Sequence, residues 1–410
     1  FANPDDLQNM ESIPLNHPIS VTVPGAVAGW IELSKKYGNL KIEEILDLGI
    51  ELCHEGFEIN EELYNSLNLH KEELSGQASG YGFYRDNQPF ETGKMIRRPQ
   101  LGKTLELLKR NGLEYFYDSD ITKSISSSVN GILSYDDLKN FKAEWKKPLH
   151  SKIYGFDGWT SPPSTQGYLT LSTLKAIEML GAEHNDIHRV IETYRIFAAD
   201  RDNITYDYGK NIKDFKGVDL DYIQEKIKLF NPNHSEKFDF PKPRGGGTAY
   251  MNTVDKNGLG VSLIQSNFHG IGSRIGVGSF GFFLHNRGCG FNLDSGHPNY
   301  LTPGRKPLHT LSPTIWSKNG NLEFIAGTRG GRYQPQLLIQ TILPYIQKSD
   351  SFEEIIKEPR WVIENFSNDT LSKLRFEKIN NEDLKILLQK GHEVEVENKF
   401  NKAYGPISII

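Results

Sequence analysis

Three features that would assign a protein class directly are scarce or missing in this chain. It has only two cysteines, Cys53 and Cys289, which form neither a metal-binding motif nor a disulfide framework. It has no concentrated basic run, and its net charge of −5 gives no reason to expect a nucleic-acid partner. No apolar stretch reaches the length of a membrane span. What remains is a globular chain of 410 residues, long enough to bury an ample core.

The hydrophobic pattern changes along the chain. Residues 1–240 are predicted to be mostly helical, with a strand near residues 143–154. Residues 201–244 are polar and contain several prolines, which predicts an exposed linker. After residue 247 the pattern favours strands and glycine turns, including a strand at 321–326, and helices return at 334–346, 352–356 and 382–388. This order predicts an α+β protein, a four-layer αββα sandwich.

The most informative segment joins three glycines to a threonine, at Gly245–Gly246–Gly247–Thr248. A strand begins there, a turn follows at residues 256–258, and residues 259–266 form a returning strand. Glycines allow the strained backbone that self-cleavage requires. The Thr248 hydroxyl would attack the Gly247 carbonyl, and the freed α-amine would then serve as general base for that hydroxyl. Taken alone, the segment favours a simpler interpretation, a glycine loop that leads into an ordinary hairpin.

Several ordered motifs change that balance. They are Val23-Pro24-Gly25-Ala26-Val27-Ala28-Gly29-Trp30, Pro162-Pro163-Ser164-Thr165-Gln166-Gly167, the Thr248 segment, Pro303-Gly304-Arg305-Lys306-Pro307-Leu308-His309-Thr310-Leu311-Ser312-Pro313 and Gly327-Thr328-Arg329-Gly330-Gly331. With these motifs the chain resembles the γ-glutamyltranspeptidase family over nearly its whole length. The resemblance implies the N-terminal-nucleophile hydrolase fold and Thr248 as the processing nucleophile.

The resemblance also implies roles for other residues. Gly330 and Gly331 match the glycine pair whose N–H groups form the oxyanion hole, and the simpler alternative is a tight turn. Ser266 matches a hydroxyl residue that positions the nucleophile, and the alternative is an ordinary strand serine. His309 and Thr310 match a serine pair that contacts the substrate carboxylate, although a histidine in a loop needs no such role.

Four departures from the family pattern bear on specificity. The acidic pair that holds the substrate α-amine corresponds to Cys289-Gly290, so the carboxylate is missing. Arg287 stands where a neutral amide is usual, and Phe268 stands where an asparagine is usual. The lid segment is short, which favours a lid-less branch that includes cephalosporin-acylase-like members. Arg329 and Arg332 flank the glycine pair. They are interpreted either as a rim that binds the substrate carboxylate or simply as a solvated edge.

Other motifs carry less. A glycine-rich run at residues 270–276 does not close a βαβ unit and is not interpreted as a dinucleotide loop. His285, His297 and His309 are interpreted as loop histidines rather than metal ligands, and Asp200-Arg201 as a structural ion pair. The family's substrate-carboxylate arginine would lie upstream of Val23. Because the chain starts at Phe1 and not at a methionine, we expect an N-terminal segment to be missing and predict no compartment.

The leading hypothesis is an autoprocessed enzyme with a large part, residues 1–247, and a small part, residues 248–410, within one αββα unit. It would form an acyl-enzyme from γ-glutamyl amides and pass the acyl group to water or an amine. One alternative is a glutaryl- or cephalosporin-type amide acylase, and another is an unprocessed, non-catalytic binding protein. The expected partners are a small amide substrate and the second fragment, in a heterodimer or a dimer of heterodimers. No metal and no cofactor are expected.

Overall fold

The computed structural model describes residue 7 and residues 10–238, 247–347, 350–363 and 373–410. The chain divides into two compact units. Unit 1 takes Phe1–Trp145, Asn267–Leu293 and Thr302–Gly304, and unit 2 takes Lys146–Ser266, Asp294–Leu301 and Arg305–Ile410. Each unit therefore contains residues from both sides of the expected cut between residues 247 and 248.

Unit 1 is mainly helical. Its helices are α1 (Ala26–Tyr37), α2 (Ile42–Glu55), α3 (Glu61–Leu69), α4 (Lys71–Leu74), α5 (Pro99–Asn111), α6 (Asp120–Ser128) and α7 (Tyr135–Lys139). Four two-residue strands form two pairs, β1 (Phe57–Glu58) with β4 (Met95–Ile96) and β2 (Tyr84–Arg85) with β3 (Gln88–Pro89). The core of this unit is built from fully buried aliphatic residues such as Leu108, Ile121 and Ile125.

Unit 2 contains the remaining elements. The helices are α8 (Tyr168–Met179), α9 (Ile187–Ala199), α10 (Arg201–Ile204), α11 (Leu220–Ile227), α12 (Gln334–Ile346), α13 (Phe352–Ile355) and α14 (Asn381–Gln389). The strands are β5 (Leu149–Ile153), β6 (Phe156–Thr160), β7 (Gly247–Val254), β8 (Gly260–Phe268), β9 (Thr314–Lys318), β10 (Asn321–Thr328), β11 (Trp361–Ile363), β12 (Lys373–Phe376), β13 (Glu393–Val396) and β14 (Ile407–Ile409). The last two residues of β8 belong to unit 1.

The central sheet of unit 2 is antiparallel, with the strand order β14-β10-β9-β6-β5. Its β9–β10 turn contains Asn319 and Gly320, which both have positive φ angles, as a tight hairpin turn with the right-handed strand twist requires. The strands β7 and β8 form a separate hairpin, and β11, β12 and β13 form a third sheet.

Alternation along β10 separates the two faces of the central sheet. Phe324 and Ala326 belong to the large core that also contains residues of α8, α9 and α12. Ile325 and Gly327 point the other way, because successive strand residues face opposite sides. A β-carbon on Gly260 would lie 2.6 Å from Ile325, and one on Gly327 would lie 2.1 Å from the Tyr250 ring. Helices thus cover one face of the sheet, and the β7–β8 hairpin covers the other.

Two predictions need correction, and one sheet was not predicted. The predicted linker contains α10 and α11 in its described part, and Ile223 of α11 is fully buried. Helix α11 is polar apart from one apolar stripe, so its composition resembles that of a linker. For this reason composition alone led to the wrong prediction. The strand near residues 143–154 is only β5, and the small sheet β11-β12-β13 was not predicted.

Candidate active site

Thr248 is the second residue of β7, and its side chain points to the inner side of the hairpin. Burial alternates along this strand: Thr248, Tyr250 and Asn252 are half-buried, whereas Ala249 and Met251 between them are exposed. The strand predicted from the sequence is therefore present, with the threonine on its protected face. Residues 245 and 246 of the predicted glycine loop lie outside the described residues.

A hydrogen-bonded chain joins the threonine to the peptide bond that precedes it. Thr248 Oγ1 donates to Ser266 Oγ over 3.0 Å, and Ser266 Oγ donates to the Gly247 carbonyl oxygen over 2.7 Å. The second distance is that of a good O–H···O bond. Ser266 thus contacts both the candidate nucleophile and the carbonyl group that this nucleophile would attack, which an ordinary strand serine has no reason to do.

The strand alternation also places Thr248 relative to β10. Asn252 reaches the Ile325 carbonyl oxygen at 3.4 Å, and the Tyr250 ring lies over Gly327. Two residues back along β7 therefore correspond to two residues forward along β10. Tyr250 and Asn252 thus lie on the side of β7 that faces β10, and Thr248 is on the same side of that strand.

The glycine pair has a backbone that other residues rarely adopt. Gly330 has φ +118° and Gly331 has φ +58°. A β-carbon on Gly330 would lie 2.5 Å from the Tyr404 carbonyl oxygen, which cannot give way as a side chain could. Both the conformation and the space at this position therefore require glycine.

The carbonyl groups of this loop have partners that fix its peptide planes. Thr328 Oγ1 donates to the Arg329 oxygen over 2.9 Å, and the Tyr333 N–H donates to the Gly330 oxygen over 3.0 Å. In a trans peptide the N–H points opposite to the carbonyl of the same unit. The N–H groups of Gly330 and Gly331 consequently point away from these partners, as donors for an external oxyanion would have to.

His309 and Thr310 lie against the loop that precedes α8. The His309 N–H donates to the Ser164 oxygen over 2.7 Å, and the Gln166 N–H donates to the His309 oxygen over 3.1 Å. The Gln166 side chain donates from Nε2 to the Thr310 oxygen at 2.8 Å and to the Gly331 oxygen at 2.9 Å. The structure therefore brings the predicted substrate-contact pair next to the glycine pair, through Gln166.

The arginines near the glycine pair differ in environment. Arg332 is not at a solvated edge, since its side chain is 12% exposed and its Nη2 lies 3.7 Å from Asp202. Arg201 forms a second, closer ion pair with Asp202, so the predicted pairing with Asp200 is wrong. Burial alone would raise the pKa of Asp202, but Arg201 and Arg332 outweigh it and hold that pKa below its usual value. Arg329 is half-buried.

Asp200 instead receives hydrogen bonds from the side chains of α11. Its Oδ2 lies 3.0 Å from Lys226 Nζ and 3.0 Å from the Tyr222 hydroxyl. Asp200 thus binds α11, which lies in the segment that was predicted to be a linker.

Arg287 belongs to unit 1 and is 3% exposed. Its Nη1 and Nη2 have no hydrogen-bond acceptor in the described part of the chain, and its guanidinium lies 4.2 Å from the Phe268 ring centre. Burial lowers the pKa of Arg287 to about 9. Burial, with a smaller contribution from the Arg287 charge, lowers the pKa of His285 to about 4, so this histidine is neutral near pH 7.

No group of three or more His, Cys, Asp or Glu side chains is arranged to hold a metal ion among the described residues. None of the described helices combines the length and the apolar character needed to cross a bilayer. Two functional candidates escaped the sequence interpretation. Gln166 was noticed only as part of a motif, and its one sequence signal was a long polar side chain between the prolines and Gly167. The Asp202 carboxylate belongs to no motif in the sequence. One of its partners, Arg201, is its direct neighbour, and the other, Arg332, is remote in the chain.

Comparison with known proteins identifies the family of this chain. The model of the family described as gamma-glutamyltranspeptidase matches residues 2–410. The Glutathione hydrolase-like YwrD proenzyme of Bacillus subtilis is 28% identical over 424 residues, which cover 99% of this chain and 79% of that protein. The oxamate amidohydrolase proenzyme of Klebsiella pneumoniae is 28% identical over 411 residues, which cover 94% and 76%. The crystal structure of cephalosporin acylase from Bacillus halodurans has a TM-score of 0.88 and 25% identity, over 100% of this chain and 78% of that one.

The match to the cephalosporin acylase structure runs through the whole chain, so the two proteins share a fold. The prediction of an α+β protein with the N-terminal-nucleophile hydrolase architecture is confirmed. The relatives also show that the chain is an enzyme of the amidohydrolase and acyltransferase type, which excludes a purely non-catalytic binding protein.

Proposed function

The chain belongs to the gamma-glutamyltranspeptidase family, and from that premise we propose that it is an autoprocessed threonine enzyme. It takes the acyl group of γ-glutamyl amides onto Thr248 and passes it to water or to an amine. The observation that carries the proposal is the hydrogen-bonded chain from the Thr248 hydroxyl through Ser266 to the Gly247 carbonyl. The relatives named as proenzymes support the processing step.

Autoprocessing follows that hydrogen-bonded chain. Thr248 Oγ1 attacks the Gly247 carbonyl carbon while its proton passes to Ser266 Oγ, and the Ser266 proton passes to the Gly247 oxygen. The neutral tetrahedral intermediate then loses its C–N bond as that proton returns through Ser266 to the Thr248 nitrogen. Water hydrolyses the resulting ester, which leaves a carboxylate at Gly247 and a free α-amine at Thr248.

The same threonine then acts on the substrate. The α-amine accepts the hydroxyl proton, Oγ1 attacks the acyl carbonyl, and the Gly330 and Gly331 N–H groups bind the oxyanion. The leaving amine takes the proton from the ammonium group, and an acyl ester remains on Thr248. Water or an acceptor amine attacks that ester by the reverse proton path. The cleavage divides the chain into parts 1–247 and 248–410, which remain together as a heterodimer.

Side chains around this centre would select the acyl group. We assign His309, Thr310 and Arg329 to the substrate carboxylate, since the first two lie next to the glycine pair and the third immediately precedes it. Arg287 of unit 1 is assigned a carboxylate ligand on its own chemistry alone. A buried guanidinium without an acceptor is costly, and a carboxylate can accept two parallel N–H bonds from it.

The test of the nucleophile is a Thr248→Ala variant. Wild-type protein should yield a large fragment that ends at Gly247 and a small fragment that begins at Thr248, as measured by intact mass. Thr248→Ala should remain a single chain and show no turnover. The matched control is Thr253→Ala, an exposed threonine on the same strand, which should be processed normally. Cleavage of Thr248→Ala at the same bond would refute the mechanism.

A second candidate function is an amide acylase that does not require an α-amine. It is favoured by Gly290, which stands where the family pattern has an acid, and by the fold shared with a cephalosporin acylase. A site without that carboxylate has little reason to reject a substrate without an ammonium group. This candidate predicts similar kcat/KM values for a γ-glutamyl anilide and its glutaryl counterpart.

The ratio of these two values decides between the candidates. A preference of about 10³ or more for the γ-glutamyl anilide, roughly 4 kcal/mol, would reject the acylase. Gly290→Asp should raise the γ-glutamyl preference by supplying the absent acid. Gly290→Asn is the control, since it adds a side chain of the same size without the charge.

A further inference from the structure

Gln166 is fully buried and binds three carbonyl groups from two separate segments. Its backbone N–H donates to the His309 oxygen over 3.1 Å. Its side-chain Nε2 donates to the Thr310 oxygen over 2.8 Å and to the Gly331 oxygen over 2.9 Å. The residue thus holds two consecutive carbonyls of the proposed carboxylate-binding pair and one carbonyl of the proposed oxyanion loop.

The orientation of the Gln166 amide is set by a charged neighbour. Arg201 Nη1 lies 3.1 Å from Gln166 Oε1, and a guanidinium can only donate hydrogen bonds. The oxygen of the amide must therefore face Arg201, which turns the NH₂ group toward the two carbonyls. Asp202 balances the Arg201 charge and also pairs with Arg332, one residue beyond the glycine pair.

From these contacts we infer that Gln166 is a positioning residue, which holds the oxyanion loop and the His309–Thr310 pair at a fixed distance from each other. The inference rests on the proposed function of both segments. Partners already fix the Arg329 and Gly330 carbonyls from within their own segment, as described above. The Gly331 carbonyl accepts the Gln334 N–H locally and, in addition, the Gln166 side chain, which is the contact that ties this end of the loop to Thr310.

A glutamine is chemically suited to this task, and its isosteric acid is not. The NH₂ group supplies two donors, one for each carbonyl, and the amide oxygen accepts from Arg201. A carboxylate would keep the contact with Arg201 but would present oxygens to both carbonyls. The loop and the pair would then separate, and a displacement of about 1 Å between catalytic groups typically costs about 10²-fold in rate.

The experiment compares Gln166→Glu with Gln340→Glu in the processed enzyme. Gln340 is a matched control in α12, because its Nε2 also bridges two carbonyls, those of Gln336 and Trp361. We expect Gln166→Glu to lower kcat about 10²-fold. Its melting temperature should fall no further than that of the control, whose kcat should stay near that of the wild type.

A second readout separates positioning from general damage. An alkyl boronic acid takes Thr248 Oγ1 as the fourth ligand of boron and becomes a tetrahedral anion, while the hydroxyl proton passes to the α-amine. Its affinity for Gln166→Glu should fall by a factor close to the loss in kcat, because both report on the oxyanion donors. KM for the acyl donor should change less.

The outcomes are distinguishable from failure of the proposed function. If the wild type and Gln340→Glu show no turnover, the proposed function is wrong, and the inference falls with it. If they turn over and Gln166→Glu keeps both its kcat and its boronic-acid affinity, the inference alone is overturned. Where Gln166→Glu fails to fold, Gln166→Met replaces it, and failure of both beside a folded control would make Gln166 a structural residue.

Discussion

Removal of the Ser266 hydroxyl should slow autoprocessing strongly even though Thr248 stays in place. In Ser266→Ala the Gly247 carbonyl loses the O–H group that lies 2.7 Å from it, and Thr248 loses its proton acceptor at 3.0 Å. Removing one donor to a developing oxyanion typically costs 10²–10³ in rate, about 2.7–4 kcal/mol. Since the same hydroxyl also relays the Thr248 proton, we expect the cleavage rate to fall at least about 10²-fold.

The assay is a time course of intact mass on freshly purified precursor. Ser262→Ala is the matched control, because Ser262 lies on the same strand and bonds the Tyr250 hydroxyl at 2.9 Å instead of the cleaved peptide. Ser266→Thr keeps a hydroxyl group and should recover part of the rate. Cleavage of Ser266→Ala at the wild-type rate would refute the relay and return Ser266 to an ordinary strand residue.

Two further predictions concern the glycine pair and the stability of unit 2. Gly330→Ala should lower kcat about 10²–10³-fold, because its β-carbon would meet the Tyr404 carbonyl at 2.5 Å. The control Gly320→Ala, at a positive φ with open space, should keep its turnover. Equal kcat values in the two variants would contradict the oxyanion assignment. Burial lowers the pKa of His392 from 6.5 to about 3, so the unfolded chain takes up a proton at a higher pH than the folded chain does. The free energy of unfolding therefore falls as the pH drops below 6.5, by about 1.4 kcal/mol per pH unit. Urea midpoints at pH 7.5 and pH 5 should therefore differ less in His392→Gln than in the wild type, and a control His150→Gln, at a half-exposed site, should show the wild-type difference.

Strong local patterns were sufficient for the longer elements. Helix α12 and strand β10 follow apolar periods long enough to be recognised, and the β7–β8 hairpin follows its turn residues. The sheet β11-β12-β13 escaped because its strands have three or four residues, too few to show a period, and because β13 pairs with β12 in parallel across α14. Helix α11 escaped because only one of its residues, Ile223, is fully buried.

Chemistry that resides in one residue could also be predicted from the sequence. A hydroxyl nucleophile after glycine, and a glycine pair where the backbone needs a positive φ, are properties of the residue types themselves. The ordered motifs and the family resemblance that they carry, rather than these residues alone, indicated Thr248 as the nucleophile candidate, the Gly330–Gly331 loop and the absence of the family's acid at Gly290.

The hydrogen-bonding pattern of the site was decided only by the tertiary structure. Ser266 bonds a residue 18 positions away, and Gln166 bonds carbonyls 144 and 165 positions away. Such contacts leave no periodic trace, because a hydroxyl or an amide can bond whatever polar group folding brings within reach. Which serine contacts the Gly247–Thr248 peptide bond, and which glutamine contacts the loop, follow from strand pairing and helix packing, since these set the distances between residues remote in the chain.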